Sequence, residues 1–216
     1  MTTASPSSLH DSTLPVARFN AWFFDRFDSF IDWSLRRLKR QVFTNLPHTV
    51  VEIGPGVGAN FRYYRPGTKV IAIEPNLAMH QRLQANAREV GIRLQLEDTF
   101  AEATGLPTDS AQAVVSSLVL CSVTDPQAAI AEAHRVLEPG GRLIVVEHVR
   151  GQGPVLRTIQ RLIRRPWRWV FDGCELGRDT LAAIEKAGFA SVDLVERTVV
   201  TAFVPVNSFV YGHATK

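Results

Sequence analysis

Residues 49–60 read TVVEIGPGVGAN, and the fold is decided here. A β-branched run, Val50-Val51-Glu52-Ile53, passes without a linker into Gly54-Pro55-Gly56-Val57-Gly58-Ala59, and Asn60-Phe61 opens toward a polar, helix-compatible segment. β-Branched residues suit a strand and glycines interrupt it, so the stretch reads as strand, tight turn and helix start. Glycine takes backbone angles that other residues avoid and lets a ligand lie against bare main chain. A nucleotide-like cofactor is therefore expected at this turn.

Working outward, Lys69 to Ile73 (KVIAI) is a second apolar strand, ending at Glu74-Pro75-Asn76. Glu74 stands twenty residues past Gly54, the distance at which the next parallel strand of a dinucleotide-type fold delivers a carboxylate to ribose hydroxyls. Leu77 to Val90 reads as a helix ended by Gly91, and Arg93 to Leu96 as a third strand. Ala113 to Leu120 (AVVSSLVL) has the continuous apolar character of a buried parallel strand. Pro126 to Leu137 is predicted helical, Glu138-Pro139-Gly140-Gly141 a turn, and Arg142 to Val149 (RLIVVEHV) the next strand. Such alternation implies right-handed crossovers and a parallel sheet covered on both faces. Pro154 to Arg168 and Arg178 to Lys186 are further helices. Ala190 to Thr198 and Thr201 to Tyr211 close the chain as an antiparallel pair, because their link is short. The fold class is α/β, a doubly wound, seven-stranded, mostly parallel sheet with an antiparallel C-terminal strand.

At 216 residues and 45% hydrophobic content the chain can bury one core, so one domain is expected over 16–216, after a Ser/Thr/Pro-rich disordered tail over 1–15. Within it, 16–46 forms an N-terminal helical segment, with Phe19, Phe23, Phe27, Phe30 and Ile31 recurring at helical spacing from Val16 to Phe43. It is read as a helix packed on the core, a lid over the cofactor, or an interfacial helix. Cys121 and Cys174 are too few for a disulfide scaffold and lack metal-ligand spacing, so no metal is assigned and a reducing, cytoplasmic location is expected. The tail lacks the basic leader and apolar run of a signal peptide, and no charge-free apolar stretch reaches the roughly 18 residues that span a bilayer. A net charge of +3 does not argue for nucleic acid, and the stacking aromatics of a strand-binding sheet are missing. Basic and apolar residues alternate at helical spacing over 154–168, with Trp167 and Trp169 beside them, which suits peripheral contact with a membrane surface or a solvated face.

Taken alone, the glycine loop satisfies both the relaxed dinucleotide fingerprint, Gly54-x-Gly56-x-x-Ala59, and the Glu52-x-Gly54-x-Gly56-x-Gly58 pattern of methyl transfer. The long helix before it and the antiparallel close favour the second over a nicotinamide oxidoreductase. From Val50 to the C-terminus the chain resembles the class I S-adenosylmethionine-dependent methyltransferases, through EIGPGVGAN, Glu74, FAEATGLP, SLVLCSV and RVLEPGG. More narrowly, GANFRYY, SLVLCSV, VEHV, FDGCELGRDT and YGHATK resemble the methyltransferase-like thiol S-methyltransferases, which methylate small alkyl thiols and are membrane-anchored in animals. Pro55 stands where that family commonly has Cys, Glu74 replaces its usual Asp, and no membrane-spanning helix precedes the core.

The resemblance implies a Rossmann-like methyltransferase fold with an N-terminal helical lid, S-adenosylmethionine as cofactor and a small-molecule acceptor, foremost a thiol. A phospholipid amine and a small aromatic oxygen or carbon remain as alternatives, as does a non-catalytic binding protein. It places the methionine part of the cofactor on Gly54, Gly56 and Gly58, with its ammonium near Glu52 or a carbonyl at the fourth strand. Glu74 would take the ribose, and Glu102 with the Ala103 backbone the adenine edge. Pro55, Asn60, Pro75, Asn76, Met79, Leu118 and Leu120 would complete the cofactor site, and Phe30, Cys121 and Cys174 the acceptor pocket. His148, where the fifth strand meets the ligand edge, is the candidate base because its unperturbed pKa near 6.5 suits proton uptake at pH 7. Asp172 is its candidate orienting partner.

Overall fold

Consecutive side chains of a strand point to opposite sides, and apolar layers on both faces of the sheet bury the run on either side. The computed structural model describes residues 15–171, 173–199, 201 and 204–216. The expected tail lies outside these except for Pro15, and Asp172 lies outside them too. Seven strands run in the order β3-β2-β1-β4-β5-β7-β6: β1 (Thr49–Ile53), β2 (Lys69–Ile73), β3 (Arg93–Glu97), β4 (Ala111–Ser117), β5 (Leu137–His148), β6 (Ser191–Thr198) and β7 (Ser208–Thr215). Only the pairs made by β7 are antiparallel. In β5, Leu143 and Val145 join the core layer under α3 (Pro126–Val136) and α5 (Thr180–Glu185), while Ile144 and Val146 join the layer under α2 (Leu77–Glu89). Each such fully buried side chain contributes about 1.5–3 kcal/mol of transfer free energy.

Two further helices frame the carboxyl edge. In α1 (Pro15–Val42), Leu35 and Leu38 are buried against Phe209 of β7, and Asp25 pairs with Arg82 of α2 at 2.6 Å. The helix thus sits as a lid over the strand ends. The other, α4 (Pro154–Val170), meets it through Asn20, whose Nδ2 donates to the Val170 carbonyl at 3.1 Å, and through Phe23 against Phe171.

Several boundaries differ from the sequence expectation. No α-helix follows the glycine loop. Residues 54–68 hold only a 3-10 turn at Phe61–Tyr63, because Phe61 and Tyr64 are drawn into the core and the chain turns back at Arg65-Pro66-Gly67. The fourth strand stops at Ser117, not Leu120. Leu118 takes φ 62°, a conformation uncommon for a residue with a side chain, and turns the chain off the sheet. The Glu138–Gly141 turn is absorbed into the start of β5, with a register shift where Ala111 opposes Leu137 and Ala113 opposes Arg142. The last strand begins at Ser208, after a 3-10 turn at Val204–Val206, and Arg178 lies outside α5 with its guanidinium on the carbonyls of Leu120 and Val123.

The segment after β3 is held by a polar clasp. Glu132 of α3 accepts from the backbone N–H and the hydroxyl of Thr104 at 2.9 and 2.6 Å and from Arg135, whose guanidinium also reaches the Leu106 carbonyl. Arg135 and Thr104 hold the Glu132 carboxyl down to about 2 from an ordinary 4.5. A depressed carboxylate adds stability above its unfolded pKa and loses it as pH falls through the folded value. Glu132→Gln should therefore be about 1 kcal/mol less stable than wild type at neutral pH, the gap closing between pH 4.5 and about 2, as read by urea unfolding.

Candidate active site

A cavity of about 270 Å³ opens at the carboxyl edge of the sheet under α1. One half lies over the ends of β1, β2 and β3. Gly54 and Gly56 line it with φ 56° and 59°. A side chain on Gly54 would run into Val119 at 2.5 Å, and only the sulfur of Met79 faces the bare side of Gly56. The Gly56 N–H donates to Glu74 Oε2 at 2.8 Å and the Asn76 N–H to Oε1 at 2.9 Å. The Glu74 carboxylate lines the cavity at this point. Asn76 caps α2 by accepting from the Ala78 N–H and donates to the Ala17 carbonyl of α1, while Pro55, Pro75 and Met79 complete this wall. Glu102 also faces the cavity, with Oε1 taking the Asp125 N–H at 3.0 Å.

Four expected cofactor residues lie elsewhere. Glu52 is sealed beneath the loop, its two oxygens taken by Asn60 Nδ2 and the Tyr64 hydroxyl, each at 2.7 Å. Burial raises its pKa, so it holds the loop rather than an ammonium group. Asn60 itself lines the cavity, and its Oδ1 is buried without a partner among the described residues, which leaves an acceptor for a donor at that position. Gly58 turns away onto Phe61, Leu120 is buried in the core, and the Ala103 N–H is used on the Phe100 carbonyl, so Ala101 takes its place at the cavity.

The other half lies over β4, β5 and β7, where Leu118, Cys121, His148 and Phe209 meet Trp167, Phe171 and Cys174. Its positions are set by Glu147, which sequence reading passed over although a lone acid in the apolar run RLIVVEHV marks it. The Glu147 carboxylate is fully buried and accepts from Ser116 Oγ at 2.7 Å and from the N–H groups of Val119 and Leu120 at 3.0 and 3.2 Å. Burial, with Cys121 beside it, pushes its pKa up to about 7. The loop so fixed meets residues 173–178, since the Glu175 N–H donates to the Cys121 carbonyl.

Three side chains distant in sequence thereby converge. Cys121, His148 and Cys174 are buried, with Sγ, ring nitrogen and Sγ all within 4.8 Å of one another. His148 Nε2 is 3.2 Å from Cys174 Sγ, which also accepts from Trp167 Nε1–H at 3.2 Å. Cys174 and His148 hold the Cys121 thiol well below its usual range, and Cys121 and burial push the Cys174 thiol up. Burial opposes a charged His148, but Cys121 outweighs it and raises the imidazole pKa. His148 Nδ1 is buried without a partner among the described residues, and the expected orienting Asp172 lies outside them.

From α1, Phe30 lines the cavity at its exposed rim. Deeper, Asp32 and Lys39 form a buried ion pair at 3.5 Å that also faces the cavity, with Tyr63 and Arg62 donating to Asp32. A charged pair inside an aromatic helix was the available sequence signal for these two, which the reading of α1 as an aromatic stripe overlooked.

A family profile described as a methyltransferase domain matches residues 51–145. The chain is 37% identical over 192 residues to thiol S-methyltransferase TMT1B of Rattus norvegicus, covering 82% of this chain and 78% of that one. It is 32% identical over 209 residues to thiol S-methyltransferase TMT1A of Homo sapiens, covering 90% and 85%. In fold it is similar to an S-adenosylmethionine-dependent methyltransferase of Thermotoga maritima, with TM-score 0.63, 19% identity and coverage of 93% and 99%.

Glu74→Gln replaces the charged acceptor of the Gly56 and Asn76 N–H groups at the cavity wall by a neutral amide with a single acceptor oxygen. Hydrogen bonds to a charged group are each worth about 1.5–3 kcal/mol, so affinity for S-adenosylhomocysteine, by calorimetry, should fall roughly 10- to 100-fold with the fold intact.

Proposed function

The chain belongs to the thiol S-methyltransferase family, and on that premise we propose that it moves a methyl group from S-adenosylmethionine to the sulfur of a small thiol held over β4 and β5. The observation that carries this reading is the division of the cavity. Its β1–β3 half presents bare backbone and the Glu74 carboxylate, which fit the cofactor, and its β4–β5 half presents the Cys121–His148–Cys174 cluster.

The cofactor supplies an electrophilic methyl group on a sulfonium. What the protein adds is placement and ionisation. Gly54 and Gly56 leave space for the amino-acid part, where Asn60 Oδ1 offers an acceptor, and Glu74 fixes the ribose. Trp167 and Phe171 pack at a tilt, 4.3 Å between centroids, and form the apolar wall of the acceptor side, where orientation supplies most of the rate. A free thiol with pKa near 8.5 is only a few per cent thiolate at pH 7, and His148 and the two cysteines are the groups placed to complete its ionisation. An alcohol would need far more assistance than this site provides.

The acceptor reaches the cavity past exposed apolar surface. On α1, Trp22 and Trp33 share an outward face, and on α4, Val155, Leu162 and Trp169 share another, with Leu162 and Trp169 exposed at 77% and 72%. Arg161 and Arg165 flank the α4 stripe. Among the described residues no helix is long and apolar enough to cross a membrane. A basic, aromatic helix of this kind lies in an interface plane, which supports peripheral contact with an anionic lipid surface.

In a labelled-methyl panel, alkyl thiols should turn over while matched alcohols, amines and phenols stay inert. Turnover of an amine or phenol in their stead would overturn the thiol assignment. His148→Ala should lower thiol methylation at pH 7 about 30-fold, the ratio of a fully ionised thiol to a free one, with S-adenosylhomocysteine affinity unchanged. Wild type should float with anionic liposomes, and Arg161→Glu with Arg165→Glu should abolish flotation; a wild type that stays in the soluble fraction would end the peripheral-contact reading.

A further inference from the structure

Cys121 is carried by the loop that Glu147 latches, His148 ends β5, and Cys174 sits on the segment that follows α4. Nothing in their sequence spacing suggests a shared site, yet their donor atoms lie within 4.8 Å of one another. A tetrahedral zinc ion, with bonds of about 2.3 Å to sulfur and 2.0–2.1 Å to nitrogen, sets its donors roughly 3.5–3.8 Å apart. The 3.2 Å between His148 Nε2 and Cys174 Sγ needs only a few tenths of an ångström of opening to meet that. Two thiols and one imidazole form the donor set that selects zinc among divalent ions.

We propose that Cys121, His148 and Cys174 bind a zinc ion through Sγ, Nε2 and Sγ, and that the fourth position, facing the cavity, takes the sulfur of the acceptor thiol. The inference rests on the thiol-methylation reading for the identity of that fourth ligand. All three protein donors line the cavity, so the ion is open on the acceptor side, as in catalytic rather than structural zinc sites. The surroundings suit thiolate ligands. Trp167 Nε1–H points at Cys174 Sγ, as a donor that orients a ligand from behind does, and both cysteines are free of a disulfide. The backbone holds the donors in place through the Glu175 N–H on the Cys121 carbonyl and the Cys174 N–H on the Phe171 carbonyl. Two thiolates balance the 2+ charge, which removes the cost of burying either alone.

The chemistry balances. The acceptor R–SH loses its proton to water as a sulfur–zinc bond forms, so the sulfur is a thiolate at pH 7 whatever its free pKa. Its lone pair becomes the new sulfur–carbon bond. The electron pair of the broken methyl–sulfonium bond leaves with the cofactor's sulfur. The thioether product is a weak ligand and departs, reopening the fourth position. In this scheme His148 acts as a ligand, and no side chain has to accept the proton.

The test uses the full chain, purified with zinc and without chelator. Metal analysis should find about one zinc per chain, lost in Cys121→Ser and in Cys174→Ser, while stabilisation by S-adenosylhomocysteine persists and shows both variants folded. Cobalt-substituted protein should show a thiolate charge-transfer band that shifts when an alkyl thiol is added and not when the matching alcohol is. Chelation should lower thiol methylation about 30-fold at pH 7, with recovery on adding zinc. Wild type that takes up neither zinc nor cobalt, or uptake that survives both serine substitutions, overturns the site. Chelated protein that methylates thiols at the full rate overturns the zinc inference and leaves the methyltransferase reading standing. Zinc bound with a thiol-dependent cobalt spectrum but no thiol methylation upholds the site and overturns the proposed reaction.

Discussion

A carboxylate sealed between β4 and β5 holds the working edge of this sheet. Glu147 gives up its contact with water to gather a hydroxyl and two backbone N–H groups. Those bonds turn the chain after Ser117 so that Leu118 accepts a left-handed backbone and Cys121 arrives beside His148. A buried carboxylate is costly unless its lone pairs are filled, and here the filling partners are the loop that forms the site. The stability of the edge and the geometry of the acceptor half are therefore one arrangement. Arg178 closes it from the other side through the carbonyls of Leu120 and Val123.

Local chemistry was legible in the sequence and contact across distance was not. The glycine loop and Glu74 announced themselves because their function depends on neighbours in the chain and on a fixed interval to the next strand. The mostly parallel sheet followed from alternation. The end of β4 was misread because Leu118, Val119 and Leu120 have the composition of a buried strand, and only Glu147, more than twenty residues on, turns them out of it. Glu52 and Ala103 belong to motifs that resemble cofactor contacts, yet Asn60 and Tyr64 use the carboxylate of one and Phe100 the N–H of the other. Cys121 and Cys174 were placed in the acceptor pocket but without metal-ligand spacing, since their meeting depends on the segment after α4 folding back onto the loop after β4.

The lid contributes more than cover. Through Asn20 it touches α4, through Asp25 it touches α2, and through Leu35 and Leu38 it rests on β7. It reaches both halves of the cavity, with Asp32 and Lys39 buried as an ion pair in its wall. Its aromatic outer face and that of α4 lie on helices that are themselves walls of the cavity, so whatever these faces touch is adjacent to the cavity.

The alternation of β5 has a consequence for how such a chain can vary. Glu147 and His148 are neighbours with opposite outlooks, one turned under the loop and the other toward the acceptor. Inserting one residue anywhere between Arg142 and Val146 would turn every later side chain of the strand to the opposite face while leaving a plausible strand. Glu147 would then take the place of the imidazole at the cavity, and Val146 the place of the carboxylate beneath the loop. The strand that ends in these two residues is counted out like a reading frame.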